Sequence, residues 1–179
     1  AVTISGGSFT ASAQTTLGAG LSNDGTLDIN AAVLGGQTLT NTKAATIGAN
    51  ITGSFVQNTD AAATTTVDGD ANVSGGLDID TGTLTVDSAL TGDVDVAAGA
   101  SYEQNNGLTG TLTTAGGADI DGDITGNLIS SGTTTLAGDV SGTVAQSAGS
   151  VTVDGASTLT GAVTISGGSF TASAQTTLG

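Results

Sequence analysis

The chain of 179 residues has no histidine, cysteine, proline, methionine, tryptophan or arginine, and only one tyrosine and three phenylalanines. Each absence closes off a class of chemistry. Without histidine or cysteine there is no imidazole base, no thiolate nucleophile and no zinc site built from nitrogen and sulfur, so an enzyme is not expected. Lys43 is the single basic residue against sixteen acidic ones, for a formal net charge of -15. That charge excludes the basic footprint with which proteins displace counterions from nucleic acid. Apolar runs are also missing: Gly, Thr or Asp interrupts each one well short of the ~20 residues of a membrane-spanning helix. No charged-then-apolar signal segment is read at the first residues. The lack of proline favours uninterrupted strands, because proline removes a ladder donor.

What the chain does contain is glycine, at 30 residues, threonine, at 34, and a thin supply of apolar side chains. Leu, Ile, Val and Phe together make 39 of the 179 residues. That is barely above the ~20% below which a highly charged chain is usually disordered. Composition therefore leaves order open, and the arrangement along the chain has to decide it. Residues 162–179, AVTISGGSFTASAQTTLG, are identical to residues 1–18. The chain thus reads as one 161-residue unit, 1–161, followed by the start of a second copy, all within a single continuous domain, 1–179.

Cutting the unit after each aliphatic, small residue, Gly triplet yields nine segments of 16 to 22 residues. The recurring pattern is a short alternating strand, a Gly-containing corner, a second alternating strand, another turn, and an aliphatic residue before the closing Gly. Alternation with period two marks strands, and glycine at the corners permits positive φ or close backbone approach. One segment cannot bury its own apolar row, whereas stacked segments cover one another and pair their backbones along the axis. The expectation is an all-β fold: a parallel β-solenoid (β-helix) of about ten roughly triangular, right-handed coils of about 18 residues. Nine coils at ~4.8 Å would advance about 43 Å per unit.

Two inward columns are predicted, one of Leu77, Val94, Leu112, Leu128 and Val144, the other of Leu90, Leu108, Ile124, Val140 and Leu159. The bore is expected to hold mainly Ala, Val, Leu, Ile and Thr, with Phe9, Phe55, Tyr102 and Phe170 as its only large rings. Neither terminus is read as blunted by a cap, so the solenoid is expected to continue axially, within one polypeptide or by end-to-end stacking.

The repeat texture of Leu108 to Gly126, and again of Leu159 to Gly179, resembles the repeat regions of large secreted bacterial adhesins and surface filaments. Filamentous-hemagglutinin-like proteins and autotransporter passengers are the nearest types. The resemblance extends over the whole chain and implies export to the cell surface and a structural or adhesive role.

Aspartate is the only reactive group in quantity. Asp68 with Asp87, Asp78 with Asp95, and Asp123 with Asp139 fall at equivalent places in adjacent segments. Stacked carboxylates at ~5 Å repel by roughly 1 kcal/mol in water. They are therefore expected either to stand in solvent as turn formers or to recruit calcium weakly, with no cofactor required for folding. Two runs begin like calcium loops. Asp119-Ile120-Asp121-Gly122-Asp123 has Ile124 and Ser130 where Gly and a carboxylate are needed, and Asp68-Gly69-Asp70-Ala71-Asn72 fails likewise at Val73 and Ile79. Glu103 is the lone glutamate, and Gly6-Gly7 and Gly35-Gly36 lack the Lys of a phosphate loop. Thr83-Leu84-Thr85 and Thr133-Thr134-Thr135 suggest a hydroxyl array for ice or glycan. Matching strands are read as Ser101-Tyr102-Glu103, Asp119-Ile120-Asp121 and Thr26-Leu27-Asp28, which break it. Asn50-Ile51-Thr52 and Asn72-Val73-Ser74 are formal glycosylation sequons.

Overall fold

The structure, a computed structural model, describes residues 1–58, 62–68 and 71–179. Strands of two to four residues alternate with corners, and among the described residues none is helical. Ten successive coils (1–18, 19–36, 37–53, 54–75, 76–92, 93–110, 111–126, 127–142, 143–161 and 162–179) each place one strand in a ten-stranded parallel sheet and a second in another. These sheets form the first and second sides. The third side is held by shorter parallel ladders and isolated bridges. Each strand is too short to be stable alone, and its partners are the same strand in the coils before and after. The fold is an all-β parallel β-solenoid.

Alternation dictates the packing. On the first side Leu77, Val94, Leu112, Leu128 and Val144 are successive register partners. All five are buried. On the third side Leu90, Leu108, Ile124, Val140 and Leu159 form the second predicted column, equally buried. Phe55 and Tyr102 are enclosed, whereas Phe9 and Phe170, in coils with a neighbour on one side only, are half-buried. The column through Tyr102 runs Leu84, Tyr102, Ala118, Thr134, so the one large ring is followed by a residue small enough to leave it room.

The buried side chains are mainly Ala, Val, Leu, Ile and Thr, as expected, and beside them the bore holds amides and hydroxyls that the aliphatic pattern does not suggest. The inward position at the end of the first-side strands holds Asn23, Asn41 and Gln57 in consecutive coils, then Ile79 and Val96, then Thr114, Ser130 and Gln146, all buried. Burial makes partners for these amides important. Among the described residues Asn23 Oδ1, Gln57 Nε2 and Gln146 Oε1 have none, while the other amide groups of the row are bonded. Asn23 Nδ2 donates to Asn41 Oδ1 at 2.8 Å and to the Gly25 carbonyl at 2.7 Å, and Asn41 Nδ2 donates to the Lys43 carbonyl at 2.7 Å. These bonds tie the side chains to the corner that follows. Tyr102 donates its hydroxyl to Gln104 Oε1, and Gln104 Nε2 reaches the Ser88 carbonyl at 3.0 Å. Burial pushes the Tyr102 phenol well above its ordinary pKa.

Glycine is required where coils turn between the third and first sides. Gly110, Gly126, Gly142 and Gly161 stack there. A Cβ on Gly126 would run into the Gly110 carbonyl oxygen, and Gly126 itself has φ +155°.

Candidate functional site

Among the described residues the inward side chains are buried against one another, and the outward surface carries the solvent-facing groups. Its most organised polar feature is a set of Asp and Asn side chains, each standing immediately before an inward aliphatic residue. Asp123 Oδ1 accepts the backbone N–H of Asp139 at 2.9 Å, and Asp139 Oδ1 accepts that of Thr158 at 2.6 Å. Asp93 takes the N–H of Thr111 at 2.7 Å, and Asn127 that of Thr143 at 2.9 Å. Asn50 takes that of Asn72 at 2.9 Å, and Asn72 that of Thr91 at 2.9 Å. Some of these N–H groups lie at corners between ladders and others, those of Thr91 and Thr158, in the short third-side strands, and each needs an acceptor. A side-chain oxygen from the coil before supplies one.

The predicted aspartate pairs therefore separate into three arrangements. Asp123 and Asp139 are adjacent, but each carboxylate is aimed at an N–H one coil further on. Asp68 and Asp87 follow the paired residues Val67 and Val86, and Asp87 Oδ1 accepts from Asn105 Nδ2 at 2.6 Å. Asp78 and Asp95 are direct register partners facing out of the first side. Partial burial, then the neighbouring charges of Asp80 and Asp95, raise the Asp78 carboxyl above its ordinary pKa. Asp78, Asp93 and Asp95 line a shallow trough with Ser54, Val56 and Thr113. Among the described residues no group of three or more carboxylates gathers as a metal centre. Of the two calcium-like runs, Asp119 to Asp123 spans a strand end and the following corner, with Ile120 turned inward. Gly69 and Asp70 of the other lie outside the described residues.

The second side carries the hydroxyls, and its register differs from the sequence reading. Ser101-Tyr102-Glu103 pairs with Gly117-Ala118-Asp119, not with Asp119-Ile120-Asp121. The strand begins two residues earlier because Ala118 and Ile120 both enter the bore. Outward rows then run Thr64, Thr83, Ser101, Gly117, Thr133, Ser150, Ser169 and Thr66, Thr85, Glu103, Asp119, Thr135, Thr152, Thr171. Glu103 and Asp119 interrupt the second row side by side. Thr85 Oγ1 donates to Glu103 Oε2 at 3.3 Å. Asp119 is raised above its ordinary pKa by partial burial first, then by Asp121, Asp154 and Glu103.

Sequence reasoning missed the acceptor roles of Asp93, Asn127, Asn50 and Asn72. The available signal was an Asx residue directly before the inward aliphatic of successive segments. The two sequon asparagines, Asn50 and Asn72, belong to this series. Compared with protein-family models, with curated proteins and with solved structures, the chain has no significant match.

Proposed function

We propose that the chain is a structural module: a length of shaft in an extracellular tandem-repeat filament, sheath or giant adhesin at the cell surface, extending by axial stacking of β-coils. One observation carries this reading. The coil of residues 1–18 meets coil 2 through Val2, Ile4, Phe9 and Ala11. Its identical copy, 162–179, meets coil 9 through the equivalent Val163, Ile165, Phe170 and Ala172. The same side chains face inward from either edge, so one 161-residue unit can pass into the next with no break in any first- or second-side column. The outward Ser, Thr and Asp residues suit a shaft that must stay soluble along its length. The resemblance to adhesin and filament repeats supplies the surface location.

The test is the mass of the denatured native polypeptide together with the axial repeat of the intact particle by cryo-EM, with antibody labelling of unpermeabilised cells. A repeat of nine coils on a surface-exposed polypeptide of several units is expected. A compact internal monomer near 17 kDa would reject the reading.

The second-side hydroxyl rows favour a second reading, a surface-binding solenoid that recognises glycan or ice. Coils 8 to 10 give three uninterrupted pairs, Thr133/Thr135, Ser150/Thr152 and Ser169/Thr171. Ice-recrystallisation and glycan-array assays test it, and Thr135→Lys with Thr152→Lys should abolish any activity found.

A further inference from the structure

The corner between the second and third sides of coil 6 holds Asn106-Gly107, the single Asn-Gly pair in the sequence. The other eight asparagines are each followed by a residue that carries a side chain. Asn106 is exposed to water, and the backbone N–H of Gly107 donates to Asn106 Oδ1 at 2.8 Å. Asn50, Asn72 and Asn127 are arranged differently, since their Oδ1 atoms are held by an N–H of the following coil. At Asn106 the nitrogen and the side-chain carbonyl that are held together are the two groups whose union closes a five-membered imide. A hydrogen bond to the oxygen brings the nitrogen beside the carbonyl carbon Cγ, which is a near-attack arrangement. Gly107 has no side chain to hinder the closure.

We infer that Asn106-Gly107 is a self-modification site, at which the chain converts its own amide to an acid with water as the only co-reactant. Gly107 N gives up its proton to hydroxide and bonds to Asn106 Cγ. The Cγ–Nδ2 bond then breaks, and Nδ2 leaves as ammonia after taking a proton from water. Water opens the imide at either carbonyl. Cleavage of the new Cγ–N bond gives aspartate at 106, and cleavage of the original peptide bond to Gly107 gives isoaspartate, whose chain runs through Cγ. In sum one amide and one water are consumed, one carboxyl and one ammonia are formed, and nothing is oxidised or reduced. The neighbours set the consequence. Asp87 is bonded to Asn105, Asp121 to Gln104 and Asp123 to Leu108, so the new carboxylate joins three others and adds to their repulsion. Isoaspartate also inserts a backbone carbon between two pinned residues. The Asn105 N–H is bonded to the Val86 carbonyl at 2.9 Å, and the Leu108 N–H to the Asp123 carbonyl at 2.8 Å. Conversion therefore loosens the stacking of coils 5 to 7 as the protein ages.

The experiment holds the full chain at pH 7 and at pH 9, in ordinary and in heavy-oxygen water, and follows its peptides by mass spectrometry after digestion. Cleavage specific for aspartate separates it from isoaspartate. Asn106 is expected to become an acid before any other asparagine, faster at pH 9, with one solvent oxygen taken up per event and both products present. Gly107→Ala keeps the fold, because its Cβ would meet only the Asp123 carbonyl oxygen at 3.7 Å, and circular dichroism checks this. It should slow the conversion roughly ten- to a hundredfold by disturbing the approach of the reacting pair. Asn106→Gln, which would need a larger ring, should abolish conversion at this position on the same timescale. Aged wild type should melt below the fresh protein, and aged Gly107→Ala should not. An unconverted Asn106 at pH 9, earlier conversion of another asparagine, an unchanged rate in Gly107→Ala, or conversion only in denaturant would overturn the site. An aged, converted chain that melts with the fresh one would overturn the loosening.

Discussion

Replacing Leu112 tests the column on which the architecture depends. Leu112 is fully buried, with Val94 below and Leu128 above it in register. Truncation to alanine removes the transfer energy of the side chain and leaves a cavity between two coils that their backbone ladders keep apart, a loss of about 2–5 kcal/mol. Leu112→Asp loses the same packing and adds a carboxylate with no cation nearby. The cheapest response at pH 7 is to bind a proton. Bringing a group of ordinary pKa ~3.9 to its neutral form at pH 7 costs up to about 4 kcal/mol. The sum approaches or exceeds the whole stability of an ordinary domain, ~5–15 kcal/mol. The sign with pH follows: the introduced carboxyl has a folded pKa above its unfolded one, so its neutral-form stability is present at low pH and lost as pH rises. Denaturation of wild type, Leu112→Ala and Leu112→Asp should be followed at pH 4 and pH 7 by far-ultraviolet circular dichroism. Emission from Tyr102, the only tyrosine and one coil away, gives a local probe. At pH 7 the aspartate variant should be the weaker by several kcal/mol, and at pH 4 the gap should nearly close. An aspartate variant as stable as the alanine variant at pH 7, or a gap indifferent to pH, would show that Leu112 does not face the bore.

Gly126→Ala should cost at least 3 kcal/mol, roughly the range of severe backbone and packing defects, whereas Gly18→Ala, with open space around it, should be nearly neutral in the same melts. In the amide row, Asn41→Ala removes the acceptor of Asn23 and the donor to Lys43, and should cost about 1–3 kcal/mol. Asn23→Ala with Asn41→Ala should cost less than the two singles added, which a double-mutant cycle measures directly. The carboxyls of Asp78 and Asp119 are raised in the fold, so the folded state binds those protons more tightly and is favoured as pH falls from 7 toward 4, then loses that advantage as pH rises through the raised values. Melting temperature should therefore rise on mild acidification, and Asp78→Asn with Asp119→Asn should flatten the trend; a fall with unchanged slope in the double variant would contradict it. Calcium and magnesium at equal ionic strength should raise the melting temperature by a few degrees alike, through screening of the net -15 charge, and complete unfolding on chelation would reveal a dedicated site.

How much of this was legible depended on whether a residue's role was local. Leu77-Asp78-Ile79 or Val94-Asp95-Val96 announces itself, because strict alternation of apolar and outward residues has one solution and a slip of one residue would bury the aspartate. Leu21-Ser22-Asn23 does not. Its third residue is inward and polar, so the pattern appears to fade where the strand continues, and its reason for being there is a carbonyl two residues on and an amide one coil away. The AGGADID stretch misled for a different reason. Gly117 and Ala118 carry no apolar signal, and the small inward Ala118 fits because it stacks on the large ring of Tyr102 in the coil before it, a fact about the neighbour that no local window contains. The acceptor role of Asp123 or Asn50 was hidden in the same way, since the N–H it satisfies belongs to the following coil.

That distribution bears on why so acidic a chain can be a solenoid at all. Stacking places like residues at ~4.8 Å intervals, so any outward aspartate column should oppose assembly. The corner aspartates escape this because each is bonded to the backbone of the next coil, and their presence helps the stacking that their charge alone would resist. Asp78 and Asp95, and Glu103 and Asp119, are the places where carboxylates stand in register on a flat side. Asp78 and Asp119 are also the carboxyls whose ionisation the fold disfavours. The repulsion of these two in-register pairs falls on the first side of coils 5 and 6 and on the second side of coils 6 and 7. Neutralising the sides should stabilise the shaft, whereas neutralising the corners by Asp123→Ala or Asp139→Ala should weaken it despite lowering the net charge. Charge count alone predicts the opposite for the corners.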